Sequence, residues 1–132
     1  MSKLLEFLIE NPVDDLTEEI IVSPRLSEYP FKIKGISGPE FAEYRKMASK
    51  INRHRKVEFD SKLFNELVVL NHTVEPDFRN AESIKAAKCV TPEQFLYKSL
   101  LAGEIEEIAA KISSLSGFDK DIEERVEDAK NS

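Results

Sequence analysis

The sequence predicts an α+β fold, mainly helical, with an N-terminal β-hairpin packed on a bundle of about five helices. Apolar residues recur at helical spacing in several stretches headed by capping residues. One short run, Phe31-Lys32-Ile33-Lys34, instead alternates apolar residues with lysine, as a half-buried strand does. A chain of 132 residues is about one domain long, so both patterns must share one core.

In chain order, Leu4, Phe7 and Leu8 mark a short amphipathic helix within residues 2–10, ended by Asn11-Pro12 because proline disfavours helix in the residue before it. Residues 1–19 hold six acids and one lysine, and read as a loosely attached acidic leader. Ile20-Ile21-Val22 and Phe31-Lys32-Ile33-Lys34 then flank a polar connection and form the hairpin. Two strands alone are marginal in water, so the Phe31 and Ile33 face must lie on helices from elsewhere in the chain.

Ser37 and Glu40 have capping-box spacing, and Phe41, Tyr44, Met47, Ala48 and Ile51 follow on one helical face, which predicts a helix over residues 39–51. Asp60 caps a second helix, with Leu63, Phe64, Leu67 and Val68 inward, although Val68-Val69-Leu70 also suits a strand. Thr91-Pro92-Glu93-Gln94 starts another helix, whose Phe95, Leu96 and Leu100 point inward and which Gly103 stops. From Glu104, the set Ile105, Ile108, Ala109, Ile112 and Leu115 keeps to one face, with Glu107 and Lys111 paired outside and Gly117 at the end. Asp119 begins a last helix with only Ile122 and Val126 to dock. The organisation expected is a leader over 1–19, one globular domain over 20–118 and a weakly docked C-terminal helix over 119–132.

Charge and composition exclude several functions. With 25 acids against 19 Lys and Arg, the chain carries a formal charge of −6 and repels phosphate backbones as a whole, so proteins are its expected partners. The single cysteine, Cys89, permits no internal disulfide and fits a reducing compartment. The apolar run near the N-terminus is too short and too charged for a membrane span, and a cytoplasmic location is expected. The four glycines stand singly, so no phosphate-binding loop can form.

Catalysis would have to come from two histidines, one cysteine and the acids. His72, Glu75 and Asp77 lie close in sequence but span a helix end and a proline loop, a poor frame for a metal. A metal-dependent nuclease using Pro76-Asp77 with Asp128-Ala129-Lys130 has coherent chemistry, but its second half falls in the tail. No catalytic residue, metal ligand or cofactor is assigned.

Two features suit partner binding. Leu4, Phe7 and Leu8 form an apolar stripe able to enter a partner groove. Arg45, Lys46, Lys50, Arg53, Arg55 and Lys56 fall in twelve residues without an acid. Such a patch attracts nucleic acid or, more simply, forms a solvated face. Residues 104–132 hold nine acids against four bases, so this basic patch also offers self-association.

Read together, Asn11-Pro12-Val13, Phe31-Lys32-Ile33-Lys34, the run from Phe59 through Val68, Thr73-Val74-Glu75-Pro76-Asp77-Phe78, Pro92-Glu93 and Ser116-Gly117-Phe118-Asp119 resemble the XkdN-like family of phage tail-assembly chaperones. The resemblance spans almost the whole chain and departs at Asn71-His72, where relatives often carry small or apolar residues. It implies a prophage protein of a Gram-positive bacterium that keeps the tape-measure protein soluble, with the tail-tube protein as a further partner, and it implies no catalytic residues.

Overall fold

The computed structural model describes residues 2–13 and 16–118. Among the described residues, six α-helices and five short strands follow in order: α1 (Lys3–Glu10), β1 (Thr17–Ile20), β2 (Phe31–Lys34), α2 (Gly38–Met47), β3 (Ser49–Ile51), β4 (Val57–Phe59), α3 (Ser61–His72), β5 (Thr73–Glu75), α4 (Ala81–Ala86), α5 (Pro92–Ser99) and α6 (Ala102–Leu115). This is the mainly helical α+β fold that the patterning predicts. The C-terminal helix expected after Asp119 lies outside the described residues.

The hairpin forms, but its first strand sits earlier than expected, at Thr17–Ile20 and not at residues 20–22. Its register pairs Ile20 with Phe31 and Glu19 with Lys32. Opposite charges facing across strands favour this pairing, and acids on an edge strand oppose further pairing with other chains. Val22 is buried beyond the strand end while Ile21 is exposed, so burial alternates even where the ladder has stopped.

β2 is central, because β5 pairs antiparallel along its other side. Lys32 thereby stands opposite Glu19 on one neighbour and Glu75 on the other. A lysine thus suits the middle of a three-stranded sheet. The alternate residues Phe31 and Ile33 are buried in the core with α3 and α6.

Side-chain caps place the helix starts. Ser2 accepts from Leu5 N, Ser37 and Glu40 complete a reciprocal capping box, and Thr91 accepts from Gln94 N. Asp60 Oδ1 accepts from Leu63 N at 3.0 Å. Replacing Asp60 with alanine leaves that N–H to water and should cost ~1 kcal/mol. A urea titration should show a lower midpoint with an unchanged slope; an unaltered midpoint would remove the cap from the account.

The residues Val68, Val69 and Leu70 are helical, buried within α3. This helix packs against α2, α5 and α6. The inward set on α6 is as expected, with Ile105, Ile108, Ala109 and Ile112 buried and Leu115 partly so. Glu107 and Lys111 pair at 3.9 Å across one turn. Gly117 ends the run at φ +96°, a conformation that glycine adopts without penalty.

Two boundaries differ from the periodicity. α5 ends at Ser99, and Gly103 belongs to the first turn of α6, so it does not stop the preceding helix. α2 ends at Met47, not at residue 51. Ser49 Oγ donates to Arg45 O at 2.6 Å, and Asp60 N donates to Ala48 O at 2.7 Å, drawing the chain out of the helix and into β3.

Candidate partner-binding surfaces

β3 and β4 make a second, two-stranded sheet, pairing Ser49 with Phe59, Lys50 with Glu58 and Ile51 with Val57. Its turn is held by Asn52, whose Oδ1 accepts from His54 N at 2.9 Å and Lys56 N at 3.1 Å. Arg55 takes a left-handed φ of 59° there. The three basic residues singled out in the sequence, Arg53, Arg55 and Lys56, therefore stand exposed at one hairpin tip.

Because directly opposed residues share a face, Ile51, Val57 and Phe59 project together, while Lys50 and Glu58 project to the other side. Val57 is 70% exposed and Phe59 51%. Their face continues into a shallow trough lined by Phe41, Arg45, Ser49, Val57, Phe59 and Phe64. The Phe64 ring lies 5.5 Å from Phe41 and 5.4 Å from Phe59, and Arg45 lies over the Phe41 ring at 5.8 Å. The structure joins a basic tip to an aromatic floor.

The second set of candidates lies on a separate element. Leu4, Phe7 and Leu8 share one face of α1, flanked by Leu5 and Ile9, and no residue of this helix is buried. Asn11 closes the helix through its backbone N and its Nδ2, both donating to Phe7 O.

His72 and Asp77, two of the residues considered for metal chemistry, are otherwise engaged. His72 is fully buried, with Nδ1 3.1 Å from Gly35 O and Nε2 2.8 Å from Tyr44 Oη. A carbonyl only accepts, so Nδ1 carries the proton and Tyr44 donates to Nε2. Burial holds the imidazole below its usual range, against the weaker opposing pull of Glu40 at 3.7 Å. His72 thus fills its slot as a neutral, hydrogen-bonded core residue. Asp77 Oδ1 accepts from Arg79 N in a local turn. Among the described residues, no three His, Cys, Asp or Glu side chains converge on one point. Asp128 and Lys130 lie outside the described residues.

Sequence reasoning missed a buried carboxylate. Glu104 is 4% exposed. It accepts from Arg25 Nη2 at 2.6 Å and Nε at 3.1 Å, from Ser23 Oγ, and from Leu101 N at 2.8 Å. The Arg25 guanidinium, helped by Ser23 and the Leu101 amide, holds its carboxyl at about 2. The third position of a helix was a signal for a backbone-capping glutamate, but nothing local pointed to Arg25.

Exposed apolar surface lies beside charge on this fold, the kind of surface at which proteins meet, while the buried His72 and Glu104 side chains are bonded within the fold. The chain belongs to the phage XkdN-like tail assembly chaperone family, whose match covers residues 4–130. That family is non-catalytic. The chain is 29% identical over 107 residues to the phage-like element PBSX protein XkdN of Bacillus subtilis (strain 168), a match covering 77% of this chain and 72% of that protein. The crystal structure of the protein YqbN superposes with a TM-score of 0.65 at 25% identity, covering 90% of this chain and 99% of the other. No helix among the described residues is long and apolar enough to cross a membrane.

Proposed function

We propose that this chaperone binds the phage tape-measure protein in the host cytoplasm and keeps it soluble while tail-tube subunits assemble around it. The observation that carries the reading is α1, an eight-residue helix that offers five large apolar side chains and buries none. Such a helix can lie along an apolar client helix and leave again. Leu4, Phe7 and Leu8 supply the apolar contact, and Arg53, Arg55 and Lys56 supply charge for acidic client segments.

The basic tip also suits a nucleic-acid ligand. The overall charge of −6 and the apolar face beside the tip favour a protein.

Co-expression with the tape-measure protein of the same prophage should keep that client soluble and co-purify it. Changing Leu4, Phe7 and Leu8 together to aspartate should release the client. A client that fractionates independently of the wild-type chaperone would overturn the proposal.

A further inference from the structure

We infer that the trough is covered by residues 119–132 of the same chain: as a short helix, they lay Ile122 and Val126 on the Val57, Phe59 and Phe64 floor and set their acids beside Arg45 and the basic hairpin tip.

The end of α6 aims the chain at this surface. Phe118 N donates to Ser113 O at 2.9 Å and Gly117 N to Ser114 O at 3.1 Å, a closed turn that stops the helix and redirects the backbone. The Phe118 ring then stands 4.9 Å from Phe41, which lines the trough. Residue 119 therefore leaves from the rim. From Phe41 the floor runs through Phe64 and Phe59, whose rings follow at 5.5 and 5.4 Å, and on along β4 toward the tip. With strand residues at about 3.3 Å each, this path is roughly 20 Å. The 14 residues from 119 to 132 reach about 21 Å as a helix, enough to cover it.

The segment also has the matching chemistry. Asp119 is a helix-capping residue, and Ile122, Val126 and Ala129 recur at helical spacing to make one narrow stripe. Two large apolar residues are too few to hold so short a helix in water, and Ile51, Val57 and Phe59 carry the apolar area it lacks. At about 100° per residue, Asp119 and Glu123 border the stripe on one side and Asp121 and Asp128 on the other, with only Arg125 and Lys130 as bases beside it. Those borders meet Arg45 in the trough wall and Arg53, Arg55 and Lys56 at the tip, in a stretch free of acids.

Docking in this way does not depend on the chaperone reading, although it would hold the place of an acidic client segment until one competes for it. Disulfide trapping in the full-length chain with Cys89→Ser tests it. Val57→Cys with Val126→Cys should close under mild oxidation at least severalfold faster than Val57→Cys with Glu124→Cys, which lies on the back of the helix. The product should have the monomer mass, at a rate unaffected by dilution. In the unmodified protein, amides of residues 122–128 should exchange several times more slowly than those of an unfolded chain. Ile122→Asp with Val126→Asp should remove that protection, and so should Arg53→Glu with Arg55→Glu at the exposed tip.

Equal trapping at 124 and 126 overturns the inference, as do unprotected amides in the wild type. A disulfide found only between two molecules overturns it in favour of a second copy. Protection that survives both sets of charge changes would place the segment elsewhere on the fold and overturn it too. Client capture by a chain whose segment is undocked would leave the chaperone reading standing alone; a docked segment without client capture would do the reverse.

Discussion

Truncating Phe78 to alanine should lower the unfolding free energy by ~3–5 kcal/mol, the loss of a large aromatic from a core that cannot collapse around the gap. Phe78 is 2% exposed although it belongs to the connection between β5 and α4. Its ring sits 6.5 Å from Phe31 on the central strand and 5.4 Å from Phe95 on α5, edge-on to the latter. It therefore fastens a loop, a sheet and a helix through one side chain, and the smaller residue would leave all three with an unfilled space. A domain of this size has ~5–15 kcal/mol in hand, so the variant should also melt far below the wild type. Urea unfolding followed by circular dichroism measures the change. A loss below ~1 kcal/mol would mean that the Phe78 site repacks or is not core.

Acid should destabilise the protein in two separable windows. Glu104 has its carboxyl held at about 2 against an ordinary value of 4.5. As pH falls through 4.5, the unfolded chain takes up a proton there and the folded one does not. The stability that Arg25, Ser23 and the Leu101 amide confer is complete above that value, erodes below it, and is gone once pH passes the folded value near 2. His72 acts earlier in the same direction. Its imidazole is held below the ordinary 6.5 by burial, so the unfolded state gains protons first as pH drops through 6.5. Glu104→Gln should lower stability at neutral pH and flatten the dependence below about 4.5, while leaving the upper window in place. Melting temperatures of both proteins across the acid range test this. Parallel curves would show that Glu104 is not the group titrating.

Helix starts were legible because the signals are local. Ser37 with Glu40, Asp60 and Thr91 each announce an N-terminus within four residues, and every one of these caps forms. Sustained periodicity likewise placed the inward face of α6. The strands were harder to read. β3, β4 and β5 are three residues each, too short for alternation to be distinguished from helical spacing. Ala48 and Ile51 fitted the helical face, so the hairpin that carries the basic tip was absorbed into the helix before it. Its turn did have a local sign in Asn52, whose side chain can bond its own backbone two residues on. The surface residues themselves were visible as a charge run and an apolar stripe. What could not be read was that the run sits at the end of an apolar sheet face, because that needs Val57 and Phe59 brought opposite Ile51 and Ser49. The ties of Arg25 to Glu104 and Tyr44 to His72 were hidden for a similar reason, as each joins residues far apart in sequence.

The placement of β2 has a consequence for synthesis. Its neighbour β5 is made some forty residues later, and α6, which covers it, later still. Ile36 N donates to Ser116 Oγ at 2.8 Å, and Arg25 waits for Glu104. A chain growing from its N-terminus thus carries Ile20, Phe31 and Ile33 unsheltered until β5 and α6 have been translated, since non-local contacts repay their loop-closure cost only when both ends exist. The assembly helper is itself a nascent chain that folds late, and a messenger cut short before the α6 codons would yield a fragment that aggregates and is degraded.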